Sequence, residues 1–173
     1  MFRRVPLLAL AACLLLTGPV SAQSAGRALR LTGADGQVHA VDAPMFAALP
    51  RVSVPLTIHG QAHVFEGPLL IDVLKAAGVD SGAALRGPAL AQAVVVRAAD
   101  GYAVVFGLAE LDPGTRPNRI ILADRVDGAP LTAEDGPLRL VAEGDLRPAR
   151  SVRQVTAVEI LRIRAGQTVE SHH

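Results

Sequence analysis

The punctuation of this chain constrains its fold most: short apolar, β-branched runs are separated by turn-forming dipeptides, so few segments keep one period for long. Arg51 to His59 alternates, with Val52, Val54, Leu56 and Ile58 facing one way and Ser53, Thr57 and His59 the other. That is the period of a half-buried strand. Gly60-Gln61 predicts a turn into a return strand through His63, Val64 and Phe65. Upstream, Arg27 to Leu31 and Gln37 to Val41 flank Gly33-Ala34-Asp35-Gly36, a hairpin whose Asp-Gly pair tolerates positive φ. Downstream, Ala93 to Val96 is continuously apolar, as suits a strand buried on both faces, and Asp100-Gly101 turns it into Tyr102 to Phe106. Ile120 to Ala123, then Asp127-Gly128 as a turn, then Leu138 to Ala142 and Val155 to Ile163 complete roughly nine short strands.

Helical signals are fewer. Gly67-Pro68 predicts the start of a helix whose Leu70, Val73, Leu74 and Ala77 recur on one face, with Gly78 as its stop. Asp42-Ala43-Pro44 opens a brief helix through Leu49, with the aspartate as N-cap. Leu108 to Leu111 reads as one helical turn, and Asp80 to Ala91 as a Gly-, Ala- and Pro-rich loop with room for a short turn of helix. The expected fold class is α+β: β-rich mixed sheets with one main helix and short helical turns.

The chain has 173 residues, half of them hydrophobic, enough for one core. Residues 1–22 read as a secretory signal: Arg3 and Arg4, an apolar region from Leu7 to Leu16, and Val20-Ser21-Ala22 as the small-x-small cleavage pattern. A mature chain then starts at Gln23, with one domain over 23–168 and a disordered tail over 169–173. Without Arg3 and Arg4 the formal charge of +1 becomes −1, so there is no general attraction for nucleic acid or anionic membrane. The one cysteine, Cys13, lies inside the signal. Leu10-Ala11-Ala12-Cys13 also matches a lipoprotein box, but the apolar run continues past the cysteine, leaving too short a core before it. Cleavage after Ala22 leaves no thiol. No later apolar run approaches the roughly 20 residues of a membrane span, so the expected product is exported, periplasmic or secreted, and soluble.

The candidate ligand loop follows the apolar strand Leu138 to Ala142, where Gly144, Pro148, Arg147, Arg150 and Arg153 crowd together. Guanidinium forks at the rim of a buried strand suit a small anionic or polar heterocycle. The alternative use of the same arginines is surface pairing with Glu143, Asp145 or Glu159. Asp100, Asp124 and Asp135 stand at strand ends, and Asp-Gly is first of all a turn former. Tyr102, the only tyrosine, is expected half-buried in the core, with covering the flat face of a ligand as its other use. So few aromatics weigh against single-stranded nucleic acid. His59 and His63 are four apart but flank a turn, where that spacing loses its meaning for a metal pair. His59, on the polar face beside Thr57, is the better ligand contact.

Taken in series, Phe65-Glu66-Gly67-Pro68-Leu69-Leu70, Ala99-Asp100-Gly101-Tyr102, Ile121-Leu122-Ala123-Asp124, Glu134-Asp135-Gly136-Pro137-Leu138-Arg139-Leu140-Val141 and Ser151-Val152-Arg153 resemble the molybdopterin-binding domain of the sulfite oxidase family. The resemblance implies that fold, and that Arg147, Arg150, Ser151 and Arg153 lie on the loop contacting the pterin and its phosphate. Asp100, Asp124 and Asp135 are then candidate acceptors for the N–H edge of a pterin. In enzymes of the family a cysteine near the positions of Thr57, Ile58 and His59 binds molybdenum; this chain has none there, and neither imidazole nor an aliphatic group replaces a thiolate. The additional domains such enzymes often carry are not expected in it. The chain is similar to a smaller exported branch without that cysteine, which includes periplasmic pterin-binding proteins that present their ligand state to a membrane signalling receptor. Three functions follow for comparison: a non-catalytic binding protein for a pterin-like ligand, a molybdopterin-dependent oxidoreductase or oxidoreductase subunit with an atypical metal centre, and a ligand-free interaction domain. For the first, no catalytic residue, resident metal or tightly required cofactor is expected.

Overall fold

Two strands divide the hydrophobic interior. Every residue of β7 (Ile120–Ala123) and β10 (Arg139–Ala142) is buried, and the two pair antiparallel from Arg139–Ala123 to Ala142–Ile120. Alternation then splits their side chains. Ile120, Leu122, Leu140 and Ala142 enter the larger core, whereas Ile121, Ala123 and Val141 join Val54, Leu56 and Phe65 in a smaller one. A strand packed on both faces has no solvent side to make polar, which is why both runs are apolar apart from Arg139.

The structure is a computed structural model and describes residues 29–163. The signal segment with Cys13, the expected start at Gln23 and the tail with Ser171, His172 and His173 lie outside them. A five-stranded sheet covers one side of the larger core in the order β2 (Val38–Val41), β1 (Leu29–Thr32), β11 (Val155–Arg162), β5 (Gln92–Ala98), β6 (Ala103–Gly107). Only β1 and β11 run parallel; the other pairs are antiparallel. Around the smaller core, β3 (Arg51–Ile58), β4 (Gln61–Pro68), β8 (Arg125–Val126) and β9 (Ala129–Pro130) form a four-stranded sheet. Helix α1 (Ala43–Ala48) is capped as expected, the Met45 amide donating to Asp42 Oδ1 at 2.9 Å. Helix α2 (Leu70–Ala76) buries Leu70, Ile71, Val73 and Leu74, each such side chain contributing about 1.5–3 kcal/mol of transfer free energy.

Three expectations change. Gly67-Pro68 does not open the helix; it ends β4, where Gly67 pairs with Val52 and lies against the backbone of Leu122 and Ala123 in β7. The hairpin turn is His59-Gly60, both left-handed at φ 50° and 81°, so the return strand starts at Gln61. Strands β8 and β9, around Asp127-Gly128, are too short at two residues each for periodicity to reveal. Among the described residues no helix is long and apolar enough to cross a membrane.

Candidate functional site

Loops at the strand ends converge on a cleft of about 810 Å³. The β3–β4 tip brings His59 and His63, the β5–β6 turn brings Asp100 and Tyr102, and the approach to β10 brings Glu134, Asp135 and Arg139. Ser151, Arg153 and Gln154 close the remaining side. Among the described residues three non-glycine positions have left-handed φ, His59 (50°), Asp127 (50°) and Gln154 (49°), and all three line this cleft. Such conformations are costly for a side chain and collect where a loop is over-determined by its neighbours. Gln154 shows the constraint: its amide donates to the Asp135 carbonyl and its side-chain Nε2 to the Ala133 carbonyl, both at 3.0 Å.

The floor is Arg139. It points to the Val141 side of β10 and is only 6% exposed, its guanidinium 5.0 Å from the centroid of the Phe65 ring. Nη1 donates to Asp135 Oδ1 at 2.6 Å, whereas Nε is buried with no hydrogen-bond partner. Burial draws the Arg139 pKa below the usual arginine value; the Asp135 carboxylate opposes this, and the nearby Arg153 charge reinforces it. Leaving Nε unpaired costs about 1–3 kcal/mol, partly offset by the cation–π contact.

The rim is made of charge pairs. Arg153 donates to Glu134 at 2.5 Å, and His63 Nδ1 lies 2.7 Å from Asp127 Oδ2. Hydrogen bonds from the Val64 amide and then from His63 hold the Asp127 carboxyl below its ordinary pKa. Tyr102 is 50% exposed, not packed in the core as expected. Its hydroxyl donates to the Ala149 carbonyl at 2.9 Å, which anchors the ring where it lines the cleft. Ser151 is buried, its Oγ accepting from the Ala142 amide at 3.2 Å.

Of the candidates from sequence, His59, Asp100, Tyr102, Asp135, Ser151 and Arg153 are brought together, whereas Arg147, Arg150 and Asp124 are not among the lining residues. Arg150 grips both oxygens of Asp145 at 2.9 and 2.7 Å, reaches Glu110 at 3.2 Å and stacks 4.6 Å from the centroid of Phe106. Asp124 pairs with Arg51, and Arg147 is exposed. Arg139 was inside a recognised motif but hidden in an apolar strand; the signal was a charge at a position where both faces of a strand are buried.

The family model for the oxidoreductase molybdopterin binding domain matches residues 57–168. The chain belongs to that family, and its β-rich α+β architecture is the sulfite-oxidase-like fold the motifs predicted. Among solved structures it is similar to the sulfane dehydrogenase SoxCD from Paracoccus pantotrophus, at 18% identity and a TM-score of 0.55, over 83% of this chain and 39% of that one. The chain thus spans well under half of that protein. No curated protein matches it.

The family's cofactor is a pterin carrying a metal, and the two parts fare differently here. Carboxylate acceptors, an exposed aromatic ring and guanidinium side chains lining one cleft fit a heterocycle edged with N–H and carbonyl groups. The metal does not fit the donors: the described residues contain no cysteine and no group of three or more His, Cys, Asp or Glu side chains placed to hold an ion.

Proposed function

We propose that this protein is an exported, periplasmic binding protein for a pterin-class heterocycle, that it is not itself a catalyst, and that it passes its ligand state to a membrane signalling receptor. The observation that carries the reading is the cleft's donor set: acceptors and a face for a pterin, without a thiolate for its metal. Asp100 and Asp135 would accept from the ring's N–H edge, Tyr102 would cover its face, and Arg139 and Arg153 would donate to its carbonyl. Calorimetric titration of the purified chain with oxidised and reduced pterins tests it. Saturable heat with a matching thermal shift is expected; no heat and no shift with any of them refutes it.

Membership of an oxidoreductase family supports a second reading, a subunit of a molybdopterin enzyme. Elemental analysis of protein purified from a host that makes the cofactor separates the two, since stoichiometric molybdenum would favour the subunit.

A further inference from the structure

Charges in the cleft are unevenly matched. With both histidines neutral, four carboxylates (Asp100, Asp127, Glu134, Asp135) face two guanidiniums (Arg139, Arg153). Both guanidiniums are already paired, with Asp135 and Glu134, and His63 lies against Asp127. Asp100 alone among these carboxylates has neither a guanidinium nor an imidazole partner within the described residues. Its Oδ1 accepts from the Tyr102 amide at 2.9 Å, a turn contact that leaves Oδ2 unengaged. It stands two residues from the exposed Tyr102 ring, in the cleft whose floor holds the unpartnered Nε of Arg139. An incoming phosphate would therefore meet no unpaired cation here and would add negative charge to a net negative site, where low-dielectric walls strengthen repulsion.

We propose, resting on the pterin reading above, that the cleft selects an uncharged or cationic heterocycle with a guanidine-type N–H edge, takes that edge on the Asp100 carboxylate, and discriminates against the phosphate ester of the same ring. A 2-amino group beside a ring N–H presents two parallel donors, which match the two oxygens of one carboxylate. The arginines then serve as internal counter-charges that keep Glu134 and Asp135 in place, not as a phosphate clamp.

Three probes at low ionic strength test this on the purified chain: 6-hydroxymethylpterin, its phosphate ester, and 6-hydroxymethyllumazine, which has a carbonyl in place of the 2-amino group. The pterin is expected to bind about tenfold or more tightly than either of the others, the scale of one charge-assisted hydrogen bond. Asp100→Asn keeps the turn acceptor but removes the charge; it should weaken pterin binding about ten- to a hundredfold and narrow the gap to the ester. If the pterin binds but the ester binds equally well or better, or if Asp100→Asn leaves pterin affinity unchanged, the charge selection is wrong while the pterin reading stands. If none of the three binds, the ligand class itself falls, and the selection with it.

Discussion

Gly67→Ala is the sharpest test of how the two cores are joined. A Cβ on Gly67 would lie 2.7 Å from the Ala123 Cα and closer still to the Leu122 carbonyl oxygen. Carbon atoms in contact want about 3.5–4.0 Å, so β4 and β7 would have to part by about 1 Å. No flexible side chain can absorb this, because both obstacles are backbone and their neighbours Phe65, Ile121 and Leu122 are at most 1% exposed. Overpacking with backbone displacement costs about 1–3 kcal/mol and sometimes more, while Gly→Ala recovers about 0.4–1 kcal/mol by restricting the unfolded chain. Because both obstacles are backbone, the cost belongs at the upper end of that range, and the expected net loss is about 2 kcal/mol, read as a lower urea midpoint at constant m. For a domain of this size that lowers Tm by about 4–8 °C. Gly107→Ala is the matched control: its φ of −68° suits alanine, and a Cβ there meets only Glu110 Cγ at 4.0 Å. It should be neutral or slightly stabilising. A Gly67→Ala protein within 0.5 kcal/mol of the parent, a margin of about the error of such measurements, would refute the close approach of these strands.

Two further outcomes follow from charge. Arg139→Met removes a desolvated guanidinium with an unpartnered Nε and leaves Asp135, 24% exposed, able to turn to water. Stability by urea denaturation should therefore change by less than about 1 kcal/mol, whereas Asp135→Ala strands the buried charge and should cost about 3 kcal/mol; the reverse order would contradict this. The hydrogen bonds from the Arg119 side chain hold the Glu143 carboxyl below the ordinary value of 4.5; burial opposes them, and the Arg119 amide and charge add to the lowering. A depressed folded pKa means the stabilisation is complete above the unfolded value and is lost as pH falls through the folded one. Denaturation midpoints should thus fall below about pH 4.5, less steeply in Glu143→Gln; identical slopes in both proteins would refute the coupling.

Local pattern was enough for most elements. Alternation marks β3, turn pairs mark Asp35-Gly36, Asp100-Gly101 and Asp127-Gly128, and the Asp42 cap and the apolar face of α2 follow from spacing within one turn, because each depends on neighbours a few residues away. The same was true of the family, whose motifs lie in order along the chain. It was not true of Gly67-Pro68, where a helix-start pattern yields to β7 some 55 residues later, because only a glycine fits against that backbone.

The candidate site divides along the same line. Sequence by itself determined that acidic turns and an arginine loop sit at the ends of buried strands, and that no cysteine follows residue 13. Tertiary structure alone decided which charges face the cleft. Arg150 is held by Asp145, a pairing the sequence offered, but also by Glu110, 40 residues away; Asp124 is taken by Arg51, 73 residues away, and Arg153 by Glu134 across 19 residues. No local period encodes such partners, since a long guanidinium takes whichever carboxylate the packing of distant strands puts within reach. What remains facing the cleft without a cation is Asp100, a residue the sequence presents first as half of a turn.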